Sequence, residues 1–334
     1  MVRKLSENDT SATQPIKSKY CRGEMKKMIH TIELTHLVSA KDPLYDWWND
    51  RMKNPMPRGI TFEPPKETLQ SPDGSNVFQY CLRLFVDCLE MFQIRSITLT
   101  ELPLIIPRID AALSGTGVFA DDFKVSRIDY SYSVLIEDER IRKLIIKLLN
   151  EKAPSNAGYL SRLRKFKSSV RRETEANTSR SVNIYDKNQE RMDKGEPIKP
   201  YERDVIRFES QILEEHVKYQ AKEKKCSRRP SDWLTPERYY QNIKQLAYFD
   251  FWGDLYSLPM AESIIDASKY TDREKKRLKA FLKKIADTNA DTAFTGYSRP
   301  TLKKYIDLLT RINVNPITIP EEYGISHIES PFWP

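Results

Sequence analysis

The sequence predicts an α+β fold, in which an antiparallel sheet flanked by helices is followed by a mainly helical C-terminal domain. Three observations predict it. Runs of alternating apolar and polar residues recur through the N-terminal part of the chain, as half-buried strands require. Windows with apolar residues at helical spacing lie between those runs. Towards the C-terminus such windows take over, and strands first with helices last is the order of an α+β chain.

The chain has 334 residues, enough for two domains. Lys and Arg outnumber Asp and Glu 55 to 47, a formal net charge of +8 that favours polyanionic partners. No apolar run approaches the roughly 20 residues that span a bilayer. Met1–Lys19 lacks the hydrophobic stretch of a secretory signal. Cys21, Cys81, Cys88 and Cys226 show neither a Cys-x-x-Cys pair nor zinc spacing. A cytoplasmic location and no membrane partner follow. With 10 glycines and no Gly-x-x-x-x-Gly-Lys-Ser/Thr loop, an ATP-driven motor is disfavoured.

Residues 1–25 are rich in Ser, Thr and Lys and read as a basic flexible tail. Met28 to Leu37 alternates as a strand, and a short strand fits near Ile60-Thr61-Phe62. Ser75 is placed to cap a helix over Val77–Phe92, with Cys81 and Cys88 on one face. A second helix is predicted over Thr100–Leu113 despite Pro103 and Pro107. A strand then carries Asp129 to about Ile136, and Ile141, Leu144, Ile145 and Leu148 make Asp138–Asn150 a helix. Residues 160–180 hold seven Lys or Arg against two acids and read as the first arm of a hairpin. It returns through residues 175–178 into a strand carrying Tyr185. Asp186–Lys194 suits a helix or turn, and another strand begins near Asp204 and carries Glu209. Ala221–Pro230 reads as a charged linker, which divides a domain over 26–225 from a helical one over 226–334. Helices are expected there over 235–247, 257–268, 271–288 and 299–312.

Three of these strands carry chemistry. Ser126-Arg127-Ile128-Asp129, Ile184-Tyr185-Asp186-Lys187 and Arg207-Phe208-Glu209 each set apolar residues on one face and polar ones on the other. Paired in one sheet, with strands about 4.8 Å apart, they would bring two carboxylates, a tyrosine and a lysine together. That is a kit for cutting a phosphodiester. A divalent metal, Mg²⁺ or Mn²⁺, suits Asp129 and Glu209, with Glu190 or Asp186 as a third ligand. Tyr185 is the nucleophile candidate, and Lys187 would lower its pKa or neutralise developing charge. Plainer readings exist for each. A strand tyrosine packs, Asp129 and Glu209 pair with the arginines two residues before them, and a basic run is a solvated face. His30, His36, His216 and His327 form no His-hydrophobic-His pair and no His-Glu-x-x-His, so any metal is expected to rest on carboxylates.

The order of these motifs resembles the filamentous-phage replication initiators of the gene II protein type. Val125–Asp129 is similar to that family's Ser-Arg-Ile-Asp segment. Ser168–Arg180 followed by Val182–Lys187 is similar to its basic hairpin and Tyr-x-Lys strand, and Val205–Glu209 to its Val-Arg-Phe-Glu strand. The similarity runs in order over residues 70–320, closest in the three strands. The resemblance implies a catalytic domain over 26–225 that nicks origin DNA and later closes the displaced strand in rolling-circle replication. It implies Tyr185 as a nucleophile left as a 5′-phosphotyrosine, Lys187 as its helper, and Asp129, Glu209 and Glu190 as metal ligands. Arg127, Arg162, Arg164, Lys165, Lys167, Arg171, Arg172, Arg180 and Arg207 would bind DNA. The partners implied are supercoiled duplex and single-stranded origin DNA, then a helicase and polymerase of a bacterial host. The helical C-terminal domain would bind DNA or a partner. The competing readings are a non-catalytic origin-binding regulator on the same scaffold, and a mobilisation relaxase, which usually carries a histidine cluster.

Overall fold

A computed structural model describes residues 29–70, 77–154, 160–166, 169–174, 179–243 and 253–331. The basic tail, the Ser75 cap, the return at 175–178, Lys167 and the predicted helix beyond 243 lie outside these residues. The chain divides into two compact units, one within Tyr20–Asp250 and one within Phe251–Pro334.

The first unit is built on a sheet of eight strands: β1 (Ile29–Val38), β2 (Ile60–Gln70), β3 (Val77–Asp87), β4 (Lys124–Leu135), β5 (Leu160–Phe166), β6 (Ser169–Thr174), β7 (Arg180–Asp186) and β8 (Val205–Leu213). Their order is β2-β3-β1-β4-β8-β7-β6-β5, and every pairing is antiparallel. With the helices beside it, this is the α+β architecture the alternation predicted. One face of the sheet packs. Tyr130 donates its hydroxyl to the Trp233 carbonyl at 2.9 Å, and Tyr132 stacks on Phe208 with centroids 4.6 Å apart. Trp48, in helix α1 (Pro43–Arg51), meets Phe62 edge-on, again on the apolar side.

Val77–Asp87 is a strand, not the predicted helix; only α2 (Cys88–Phe92) is helical. Leu82, Leu84 and Val86 are fully buried while Arg83 and Phe85 are half-buried, the period of two that pairing on both sides imposes. The run is apolar at adjacent positions, so its periodicity did not separate strand from helix. Two flanking strands, β1 and β2, then outweighed the helix propensity of its leucines. Cys81 is accordingly in a strand and Cys88 opens a helix.

Pro103 and Pro107 are accommodated by a short 3₁₀ turn at Leu102–Leu104, followed by α3 (Ile105–Ala112). Helix α4 (Glu139–Glu151) and helix α5 (Lys187–Asp193) stand where expected. The unit runs past the boundary expected near residue 225. Helices α6 (Glu214–Glu223), α7 (Pro230–Trp233) and α8 (Pro236–Ile243) pack on β4 and β8, with Tyr239 edge-on to Tyr130. The charged segment between them is held too: the Val125 amide donates to the Arg228 carbonyl at 2.8 Å.

The second unit contains α9 (Leu258–Ala267), α10 (Asp272–Asp287), α11 (Ala290–Phe294) and α12 (Arg299–Arg311) around Ile265, Leu278, Phe281, Leu282 and Leu309. Thr271 and Glu274 form a reciprocal cap at the start of α10. Two of its lysines are engaged in surface ion pairs, Lys279 with Asp266 at 2.5 Å and Lys283 with Asp287 at 3.3 Å. Among the described residues no helix is long and apolar enough to cross a membrane.

Gly59 turns the chain into β2 at φ +73°, and a Cβ there would stand 2.5 Å from the Asp87 carbonyl oxygen and the Met91 amide nitrogen. A left-handed backbone costs a residue with a Cβ about 1–2 kcal/mol, and contact with rigid backbone adds to that. Gly59→Ala should lower stability by at least about 2 kcal/mol, read as a lower urea midpoint at unchanged slope.

Candidate active site

The register of β4, β7 and β8 determines which side chains meet. Ser131 pairs with Glu209 and Glu209 with Asn183; Ser133 pairs with Arg207 and Arg207 with Tyr185; Asp129 pairs with Gln211 and Gln211 with Ser181. Cross-strand partners share a face, so three polar rows cross the sheet on the side opposite Tyr130 and Tyr132. At their centre the Tyr185 hydroxyl donates to Glu209 Oε1 at 2.5 Å.

β1 adds a residue that sequence reasoning missed. Ile29 pairs with Tyr130 and Thr31 with Asp129, which leaves His30 as the extra residue of a β-bulge. His30 Nδ1 lies 2.6 Å from Glu209 Oε1, and His30 Nε2 lies 3.2 Å from Arg207 Nη1. A guanidinium only donates. Nε2 therefore accepts, and Nδ1 carries the proton given to Glu209. Asp129 is held separately: Arg127 grips both its oxygens at 3.0 and 2.7 Å and reaches Glu33 at 2.9 Å.

Burial and charge set the titration of these groups. Burial alone would raise the Glu209 carboxyl, but the His30 ring and the Arg207 guanidinium bring it down to about 2. Burial pushes Asp129 the other way, against Arg127, and the Glu209 charge adds to the rise. Two neighbouring carboxyls thus separate. Burial and the same Glu209 charge push the Tyr185 phenol well above its ordinary value. Tyr130 and Tyr132 are buried on the packed face, which leaves Tyr185 as the tyrosine of the polar one.

Other expected residues are distributed differently. Lys187 is not a strand neighbour of Tyr185 but the first residue of α5, buried, with Nζ 5.6 Å from the Tyr185 ring centroid. Its Nζ binds Glu190 at 2.7 Å and Glu202 at 3.3 Å. Glu190 is taken up by Lys187 and Lys194 and stands outside the metal-capable group. Asp186 caps α5 and pairs with Arg142 at 2.9 Å. Arg207 is completely buried and Arg180 nearly so, so neither is presented to a docking duplex. In the basic hairpin, positions 162, 164 and 171 fall in the rows of Asp129 and Glu209. Positions 165 and 172 fall in those of the buried Ile184 and Val182.

A second missed residue is Glu202, in a 3₁₀ turn at Pro200–Glu202. It is 1% exposed and takes both Arg191 donors, Nε at 2.7 Å and Nη2 at 2.8 Å, besides Lys187. No motif marked it, because its three cationic partners come together only in the fold.

The ligand atoms of His30, Asp129 and Glu209 lie within 4.8 Å of one another, so this group could hold a metal ion. Bonds of about 2.1 Å put opposite ligands of one cation about 4.2 Å apart, close to the separation found. The donor set fits: two buried carboxylates and an imidazole whose Nδ1 proton would have to leave. The histidine replaces the all-carboxylate site expected from sequence. No protein-family model matches the chain, and no curated protein matches it.

Two outcomes follow. After chelator treatment, Mn²⁺ at about a hundred times its dissociation constant should raise the melting temperature by about 5 °C or more. Asp129→Asn should cut that rise, and no rise at millimolar Mn²⁺ would remove the metal. Glu202 is pulled down to about 2, because Arg191, Lys187 and Arg207 outweigh its burial. A carboxyl depressed by folding stabilises above its unfolded pKa and loses that contribution as pH falls through the folded one. Glu202 should therefore contribute on the order of 3 kcal/mol above pH 5, fading towards pH 2. Urea unfolding across that range should show a shallower pH dependence in Glu202→Gln.

Proposed function

We propose that the protein is a site-specific DNA-nicking and -closing enzyme that starts rolling-circle replication through a covalent tyrosine intermediate. The observation that carries this reading is the Tyr185 hydroxyl held on Glu209 at 2.5 Å, beside His30 and Asp129 in a metal-capable group. The resemblance of the three strands to the phage initiators supplies the substrate class.

Tyr185 Oη attacks the origin phosphate and its proton passes to Glu209 Oε1. The Tyr–O–P bond forms as the P–O3′ bond breaks, and the departing O3′ takes up that proton from Glu209, leaving a 5′-phosphotyrosine and a 3′-hydroxyl. Closing is the reverse attack by a 3′-hydroxyl on the phosphotyrosine, so the ester bond is conserved and no nucleotide is consumed. Asp129 and Glu209, with His30, would hold a divalent ion that polarises the scissile phosphate when bound. The imidazole favours Mn²⁺ over Mg²⁺, which prefers oxygen donors. Arg127 orients Asp129, and Arg207 orients His30. The hairpin positions 162, 164 and 171 extend the same rows outward and suit phosphate contacts along a strand. Lys187, tied to two carboxylates, acts on Tyr185 through its charge near the ring.

One observation favours the regulator reading: the Tyr185 phenol is pushed well above its ordinary value. A covalent-adduct assay separates the two. Supercoiled DNA carrying the protein's own replicon is incubated with Mn²⁺ or Mg²⁺ and denatured before electrophoresis. A nick with a protein–DNA adduct is expected, both falling at least a hundredfold in Tyr185→Phe. Binding without a nick under either metal would leave the regulator.

A further inference from the structure

We propose that Glu202 is a positioning residue for the tyrosine chemistry, the buried anion that fixes Lys187 and Arg207 behind Tyr185. This rests on the nicking reading of the same site. Three cations stand around one carboxylate. Arg191 donates to both its oxygens, Lys187 Nζ is 3.3 Å away, and Arg207 Nη1 is 3.9 Å away. Lys187 and Arg207 are 4% and 0% exposed in their side chains, so water does not compensate their charge.

From Glu202 two branches reach the nucleophile. Through Lys187 the path ends 5.6 Å from the Tyr185 ring centroid. Through Arg207 it passes to His30 Nε2 at 3.2 Å, then from Nδ1 to Glu209 at 2.6 Å, the carboxylate that holds the Tyr185 hydroxyl. Arg191 joins these branches only through Glu202, since its ion pairs run to Glu196 and Glu202, so its removal leaves the Glu202 charge and both branches in place. A residue with a purely structural role would resemble Arg191 in its effects. Glu202 differs because it also sets the charge seen by Tyr185. Lys187 faces Glu190, Glu202, Arg207 and the Tyr185 ring. Removing the Glu202 charge leaves Arg207 less opposed, which lowers the pH at which Lys187 loses its proton.

The test compares wild type, Glu202→Gln, Glu202→Asp and Arg191→Met in single-turnover adduct formation across pH, beside DNA binding and melting. Glu202→Gln should bind origin DNA within about twofold of wild type. It should form adduct at least tenfold more slowly, with the basic limb of the pH profile moved to lower pH. Glu202→Asp should recover part of the rate, and Arg191→Met should melt earlier with the wild-type profile. If Glu202→Gln does not fold, Glu202→Asp decides alone: a slowed rate supports the inference, and a wild-type rate and profile overturn it. Equal profiles in Glu202→Gln and Arg191→Met overturn it as well. Adduct from wild type with unaltered Glu202 variants refutes only this inference, whereas no adduct from wild type removes the nicking reading and the inference together.

Discussion

The hydrogen bond between Tyr185 and Glu209 is the interaction on which the rest of the polar face depends. It joins β7 to β8 across one cross-strand diagonal and determines what the other groups can do. Glu209 spends one oxygen on both Tyr185 and His30. That sharing needs a carboxylate, and a carboxylate at 5% exposure needs cations nearby. Arg207 provides one on the same strand, and Arg207 in turn needs an anion and acceptors, found in Glu202, His30 Nε2 and Ser133. The buried charges are thus a chain of mutual requirements that starts at one phenol.

Much of this arrangement was legible in the alternation of β4, β7 and β8. Polar residues at every second position placed Asp129, Tyr185 and Glu209 on one face, and antiparallel pairing brought the faces together. What was not legible has definite causes. His30 reaches the site through a bulge, and a bulge exists only once β1 is paired with β4. Lys187 followed the strand pattern by eye, but the Asp186 side chain accepts from the Asn188 and Gln189 amides and starts a helix there. Val77–Asp87 looked helical because Leu84, Phe85 and Val86 are apolar at adjacent positions, which hides that Leu82, Leu84 and Val86 share one buried face. Arg207 looked like a DNA contact because a lone arginine gives no sign of the carboxylates that will enclose it.

The division of labour among the cations has the same origin. A basic residue near a site can neutralise the protein's own acids or those of a substrate, not both. Arg127, Lys187, Arg191 and Arg207 are committed inward, to Asp129, Glu190, Glu202 and the His30–Glu209 pair. The net charge of +8 is therefore a poor guide to where a polyanion would lie. Only cations outside these pairings remain for one.

The junction at Asp186 has a consequence for how this chain tolerates change. Tyr185 is the last residue but one of β7, and Asp186 at once closes the strand, caps α5 and binds Arg142. An insertion or deletion of a single residue in β7 would turn Tyr185 towards the packed face, but it would also tear Asp186 from its cap and from Arg142. Length variants in this strand would be eliminated as unfolded chains rather than persist as folded ones with a displaced tyrosine. Changes of length would then be tolerated in the turns rather than in β7, and the tyrosine would keep its place through the demands on its neighbour.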